Sequence, residues 1–459
     1  MKQYLVAVAL LGACASTATP DRDDYPFSGG GKGDGADNLP VQMAPPIAGW
    51  FTQDVDHDSA AGTFAQRYWY STEFARGPDS PVIFYFCGEA ACDPWYATSM
   101  ADSALALHAS VVVLEHRYYG ASLPYPDETL EHMKYLTIHN ALEDAATFER
   151  YARANLPLAG KWIAVGGSYP GMLAAFYRET HPELVVGAWA SSAPVDVSLS
   201  FWGYDTIVTT ALGETCAGRF RVALGAAEDA YNDPDRRDVV SHQISGHPAY
   251  GSLADYLQSV SYVAEGAAQY GQQAGLCASL ANHRDQPLDG VIAYVAGTGT
   301  QPHAALAPGK VMPVLAAPAG DNFAGAEWFY QVCSEVGFYQ THSLDQGHTV
   351  MSWLIDEAYW ADQCQTWVGT QPAIAQTRAS YVRALDDSEV SNVLFVNGTL
   401  DPWSALSYTS QALAPDGITV ATIAGGSHCS DLENLQPSSK PDVFAVHQQF
   451  YELALAWLK

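Results

Sequence analysis

Positive charge is what this sequence most lacks. Its 459 residues hold 21 Lys and Arg against 50 Asp and Glu, for a net charge of −29. Such a surface repels phosphate backbones and anionic headgroups, and no basic cluster offsets it. Nucleic acid is therefore excluded as a partner, and the acidity is read as serving solubility. Charge of either sign is scarce at 15%, while hydrophobic residues reach 48%, so the chain folds around a large core. Long apolar runs are missing too. The stretch Tyr4 to Leu11 is far too short to span a bilayer. No internal repeat is present. Asp54, Asp56 and Asp58 imitate the start of a calcium loop, but Ala65 stands where its bidentate Glu belongs. No metal and no cofactor is expected.

The N-terminus reads as an export signal, residues 1–14. Lys2 precedes the apolar stretch, which ends in Leu11-Gly12-Ala13-Cys14. Small residues before a cysteine resemble a bacterial lipobox, in which Cys14 is lipidated and attaches the protein to a membrane. A plain secretory cleavage beside Cys14 is the alternative. Either places the mature protein in the periplasm, on the cell surface or outside the cell. Residues 15–44 contain "FSGGGKGDGADN" and form a flexible linker. Past Cys14 seven cysteines remain, so disulfides are expected with at least one thiol left over. Cys87 and Cys92 enclose a loop short enough to pair. Cys429, beside His428, is the expected free thiol.

From residue 45 to about 200 apolar strands alternate with helical patterns. "SPVIFYFCGEA" and "ASVVVLEHRYYG" read as buried strands with polar ends. Residues 137–155 set Leu142, Ala145, Phe148, Tyr151 and Ala152 on one helical face. This is an α/β pattern with a largely parallel sheet, whose ligands sit at the strands' carboxyl ends. Residues 201–380 are rich in Ala, Gln and Tyr and read as a mostly helical insertion; residues 381–459 return to strands and a closing helix.

In "WIAVGGSYPGMLAAFYRETHPELVVGAWASSAP" a buried strand meets two glycines, then Ser168, then a helix with Pro170 in its first turn. That is the outline of a nucleophile elbow, although Pro170 replaces the last Gly of G-x-S-x-G. A serine hydroxyl needs a base, and the base needs an orienting acid. Asp401 follows the strand "NVLFVNG", and His428 follows "VATIAGG", 27 residues later. The order Ser, Asp, His is that of α/β-hydrolases. The oxyanion donors are expected at the N–H of Tyr169 and in the loop at Gly88 and Glu89.

"GTFAQRYWY", "EHRYYGASLPY", "GGSYPGMLAAFYRETHPELVVGAWASSAPV", "EWFYQVCSEVGFYQT", "NGTLDPWSAL" and "GSHCSDL" resemble the serine peptidase family of prolylcarboxypeptidase and dipeptidyl peptidase II. The resemblance implies an α/β-hydrolase fold with a helical cap domain inserted before the catalytic Asp. It implies cleavage after proline, with Ser168 as nucleophile, Asp401 as orienting acid and His428 as base. It also implies the disulfides Cys333–Cys364 and Cys216–Cys277. Two departures stand out. Members often carry Gly where this chain has Pro170, and G-N-E-G where it has Cys87-Gly88-Glu89-Ala90.

A proline pocket wants apolar, aromatic walls. Trp403, Met172 and Trp328 are candidates, Met172 being also a natural core residue. Glu89, Glu115 and Glu335 are carboxylates that could hold a peptide's terminal ammonium. The expectation is an exopeptidase for short proline-containing peptides, working from the amino or the carboxyl end. A carboxylesterase or lipase of the same fold, a proline-specific endopeptidase and an inactive binding module are the alternatives. Oligomeric state, a dimer included, stays open.

Overall fold

The computed structural model describes residues 44–459 except 247, 250, 299–324, 346, 433 and 436–438. The expected export signal, Cys14 and nearly all of the linker lie outside the described residues.

Eight strands form one sheet in the order β1-β2-β4-β3-β5-β6-β9-β10. They are β1 (Ile47–Asp54), β2 (Thr63–Ser71), β3 (Val82–Phe86), β4 (Ser110–Leu114), β5 (Trp162–Gly167), β6 (Val185–Ser191), β9 (Val393–Gly398) and β10 (Ile418–Ile423). The first two are antiparallel, β2 meets β4 antiparallel, and every later pairing is parallel. β3, β4, β5 and β9 are buried at every position, which is why they read as unbroken apolar runs. Their alternate residues enter two cores. Phe84, Phe86, Trp162 and Ala164 meet Phe148 and Tyr177 from the helices Ile138–Asn155 and Tyr169–Thr180. Ile83, Tyr85, Ile163 and Val165 share the other core with Phe450 and Trp457 of the closing helix Pro441–Trp457. The helix expected over 137–155 starts where Thr137 caps the N–H of Asn140.

Between β6 and β9 the chain forms the helical cap. Its helices include Trp202–Leu212, Glu214–Tyr231, Leu253–Gln269, Gln273–Asn282, Gly325–Gln331 and Glu357–Trp367. It also contains a feature the composition did not suggest. The short strands β7 (Ser198–Ser200) and β8 (Gly337–Tyr339) pair in parallel across the cap's base. The fold is therefore an α/β-hydrolase with a cap inserted before the strand that leads to Asp401.

Cys216–Cys277 ties two cap helices, Cys333–Cys364 braces the turn after Gly325–Gln331, and Cys87–Cys92 closes the loop after β3. Three bridges among the described residues mark a chain that matures in an oxidising compartment. Cys429 is not the free thiol expected; it too is disulfide-bonded, and the described residues contain no free cysteine.

Candidate active site

The strand β5 ends in Gly166-Gly167, and Ser168 follows at φ 67°, ψ −135°. A side chain in that region is strained, so neighbouring structure must hold it there. The Ser168 N–H donates to the Ser191 carbonyl at 2.9 Å, and the Ser168 carbonyl accepts from Met172 N–H at 3.0 Å. A Cβ on Gly166 would collide with the Pro170 carbonyl, and one on Gly171 would crowd the Ser191 carbonyl. Gly171 thus takes the close approach that the fifth-place glycine of the usual pattern would make. Pro170 sits in the first helical turn, where its missing N–H costs nothing.

Asp401 ends the turn after β9 and caps a short 3-10 helix, Pro402–Leu406, by accepting the Trp403 N–H at 3.0 Å. The same Oδ1 accepts from His428 Nδ1 at 2.9 Å, between side chains that are both fully buried. A carboxylate can only accept here, so Nδ1 carries the proton and Nε2 presents its lone pair. Ser168 Oγ and His428 Nε2 are both buried without a hydrogen-bond partner among the described residues. The dipeptide Ser191-Ser192 joins their loops. Ser191 receives the Ser168 N–H, and Ser192 Oγ receives the Cys429 N–H at 2.8 Å.

The loop after β3 is closed by Cys87–Cys92 and carries Gly88 and Glu89 against the elbow. A Cβ on Gly88 would collide with the Pro170 ring.

A family model described as serine carboxypeptidase S28 matches residues 52–450. The chain belongs to the serine carboxypeptidase S28 family. It is 30% identical to the thymus-specific serine protease of Mus musculus, over 91% of this chain and 88% of that protein. It is 28% identical to the lysosomal Pro-X carboxypeptidase of Homo sapiens, over 83% of this chain and 82% of that one. Among solved structures, a proline iminopeptidase of Mycobacterium smegmatis matches with a TM-score of 0.39 at 16% identity, covering 89% of this chain and 99% of that one.

In this S28 chain a run of rings connects the elbow to the Asp401 turn. Tyr169 meets Trp328 at 5.4 Å between centroids, Trp328 meets Phe338 at 6.4 Å, and Phe338 meets Trp403 at 5.6 Å. Phe201 and Tyr204 also pack on Trp403. Trp328 and Trp403 are thus joined through Phe338 in one buried aromatic cluster, and Trp328 Nε1 is buried without a partner among the described residues. Met172 is wholly buried in the core under the elbow helix. Phe338, Phe201 and Tyr204 were not singled out from sequence. Only β7–β8 pairing and the cap helices bring them here.

The three glutamates separate cleanly. Glu115 is spent: it accepts from Arg67 Nη2, Cys92 N–H, Ala121 N–H and Ser122 Oγ. Arg117, two residues on, pairs with Asp144. Glu335 accepts the Ile138 N–H at 2.9 Å, at the start of a helix. Glu89 is buried, and neither carboxyl oxygen has a partner among the described residues. Burial pushes its pKa to about 8, so the S28 loop carries a neutral carboxyl at pH 7.

Tyr169 is oriented by a directed relay. Tyr119 OH donates to Gln331 Oε1, Gln331 Nε2 donates to Tyr169 OH, and Tyr169 OH meets His116 Nε2 at 3.1 Å. The other nitrogen of His116 donates to the Arg117 carbonyl. Burial lowers His116 to about 4, so it is the neutral imidazole this relay requires. Burial drives the Tyr169 and Tyr119 hydroxyls well above their ordinary pKa. The neighbours that add to the shift are Glu335, Glu89 and Tyr381 for Tyr169, and Glu327, Tyr169, Glu89 and Glu128 for Tyr119. Glu327 Oε2 is likewise buried and unpartnered.

Proposed function

We propose that this chain is an exported serine exopeptidase that cleaves short peptides after proline. The Asp401–His428 pair carries the reading: its tautomer leaves Nε2 free to take a proton from Ser168, which sits on a strained elbow at the same carboxyl-terminal end of the parallel strands. Ser168 Oγ attacks the carbonyl after proline while His428 Nε2 takes its proton and Asp401 holds the imidazolium. The Tyr169 N–H and an N–H of the Gly88-Glu89 loop steady the oxyanion. His428 then returns the proton to the leaving amine, and the C–N bond breaks. Water, activated by His428, hydrolyses the acyl-enzyme. Trp328 and Trp403 would flank the flat pyrrolidine ring.

Of the two exopeptidase directions, release from the amino end has more support. Of the carboxyls that lie near Tyr169 and Tyr119, Glu89 and Glu327 have unpartnered buried oxygens. A terminal ammonium seated beside such a carboxyl would draw it into its charged form and pair with it, whereas a terminal carboxylate would meet no cation among these groups. Export rests on the signal-like N-terminus. The test is a matched set: Ala-Pro and Ala-Ala-Pro aminomethylcoumarin amides with free N-termini, their N-blocked forms, and a blocked Pro-Phe peptide, with a Ser168→Ala control. Cleavage only with a free amine is expected. Cleavage of blocked Pro-Phe alone reverses the direction, and cleavage of none, with esters hydrolysed, replaces the peptidase by an esterase.

A further inference from the structure

Gln269, the last residue of the cap helix Leu253–Gln269, closes a ring of hydrogen bonds around the Asp401–His428 pair. Its backbone carbonyl accepts the His428 N–H at 3.0 Å. Its side-chain Oε1 accepts the Trp403 Nε1–H at 3.1 Å and the Tyr204 OH at 2.7 Å. Trp403 N–H returns to Asp401 Oδ1 at 3.0 Å, and that oxygen holds His428 Nδ1 at 2.9 Å. The circuit runs Asp401, Trp403, Gln269, His428 and back to Asp401. Each of the four is buried. Two residues on, Gly271 takes a φ of +70° with Ser427 beside it, so the cap chain turns directly over the histidine loop.

The geometry points to Gln269 as a positioning residue through which the cap fixes the orientation of His428 against Asp401. The inference rests on the proposed roles of Ser168, Asp401 and His428. One residue grips both the loop of the base, through its main chain, and the turn of the acid, through its amide. An imidazole held by its carboxylate is only as fixed as that carboxylate; the Gln269 amide, through Trp403 Nε1, steadies the turn whose Trp403 N–H holds the same Asp401 oxygen, while the Gln269 carbonyl steadies the His428 main chain. A displaced base costs turnover steeply, because proton transfer needs the acceptor within hydrogen-bond reach. A loss of the cap's grip is therefore read at the chemical step and not in substrate affinity. The remaining side-chain donor, Nε2, reaches Tyr270 OH at 3.1 Å, which fixes the amide so that Oε1 faces Trp403.

The experiment uses the full chain. Labelling by an alkyl fluorophosphonate, lost in Ser168→Ala, first establishes the nucleophile; a wild type that resists the probe overturns the serine reading and this inference with it, independently of any Gln269 result. Gln269→Leu then keeps the bulk and removes the acceptor, while Gln269→Glu keeps an acceptor oxygen in either protonation state. Gln269→Leu is expected to lower kcat about 10- to 100-fold with KM changed less than about two-fold. Fluorophosphonate labelling should slow in proportion, and Gln269→Glu should recover most of the loss. Trp403→Phe, which deletes the indole donor, should lose part of kcat, and the double variant should be no worse than Gln269→Leu alone. Should Gln269→Leu fail to fold, Tyr204→Phe, which removes the other donor to Gln269 Oε1, carries the same kcat test. A rise in KM with kcat intact overturns the inference in favour of a pocket role. A lower thermal midpoint with unchanged kcat overturns it in favour of a purely structural one, as do additive effects in the double variant.

Discussion

Gly88 and Pro170 occupy one another's space: the pyrrolidine ring of the elbow fills the volume that any Cβ at position 88 would need. The two departures from the family pattern are thus a single packing event. A chain with Asn at position 88 needs a small residue at position 170. This chain has made the reverse choice, ring on the elbow and glycine on the loop. On the proposed oxyanion role of this loop, Gly88→Asn alone should push the loop off the elbow and lower kcat by up to about 10²- to 10³-fold, the cost of losing one oxyanion donor. Pro170→Gly alone should be milder. The double variant should recover much of the lost turnover, and a double no better than Gly88→Asn would refute the coupling.

Asp401→Asn tests the tautomer. An amide can turn its NH2 toward His428 Nδ1, forcing the proton to Nε2 where the lone pair is needed. Turnover should fall about 10⁴-fold with folding preserved, as measured by kcat and the thermal midpoint. Near-normal turnover would remove Asp401 from the proposed chemistry.

Acid should stabilise this protein. Burial raises Glu89, Glu179 and Glu335 to about 8, Glu149 to about 7 and Asp431 to about 6. Between roughly pH 4.5 and 8 the folded state therefore binds more protons than the unfolded one, and stability falls as pH rises. His116 and His447, lowered by burial to about 4, act oppositely below about pH 6.5. The carboxyls outnumber them. The thermal midpoint, followed by calorimetry, should climb from pH 8 to about pH 5 and decline only below that. A maximum at pH 7 or above would contradict the assignment.

Glu89→Gln separates a substrate contact from burial. The amide cannot ionise, so the variant should be more stable than wild type above about pH 8, where the native carboxyl is forced to charge. If Glu89 receives the terminal ammonium, KM for free-amine substrates should rise about 10-fold while blocked ones are unaffected. An unchanged KM would leave only the burial effect and pass the ammonium role to Glu327.

Much of the architecture was legible because buried parallel strands leave unbroken apolar runs, as in "VIFYF" and "WIAVGG". Ser168 and Asp401 drew notice because each follows such a strand, and His428 because it follows the partly exposed edge strand β10, in the order the fold uses. The glutamates were not, since Glu115, Glu335 and Glu89 differ only in partners contributed from distant segments. Gln269 left one signal that was passed over. Gln258, Glu265 and Gln269 recur at helical spacing on a stretch that is otherwise apolar, and all three are buried. A polar residue on a buried face is the informative exception. Cys429 was misread because its neighbour His428 drew the inference, and adjacency in sequence says nothing of what a thiol meets in space.

The strand order has a consequence for how the chain is made. β9 docks directly on β6, yet roughly 200 residues of cap are synthesised between them. A growing chain can build β3 to β6 and the elbow from local α/β units, while the edge of β6 waits for a distant partner. On the proposed chemistry, such a chain has a nucleophile but neither base nor acid. Hydrolysis therefore begins only when the final strands close the sheet, which keeps an unfinished molecule from digesting its surroundings.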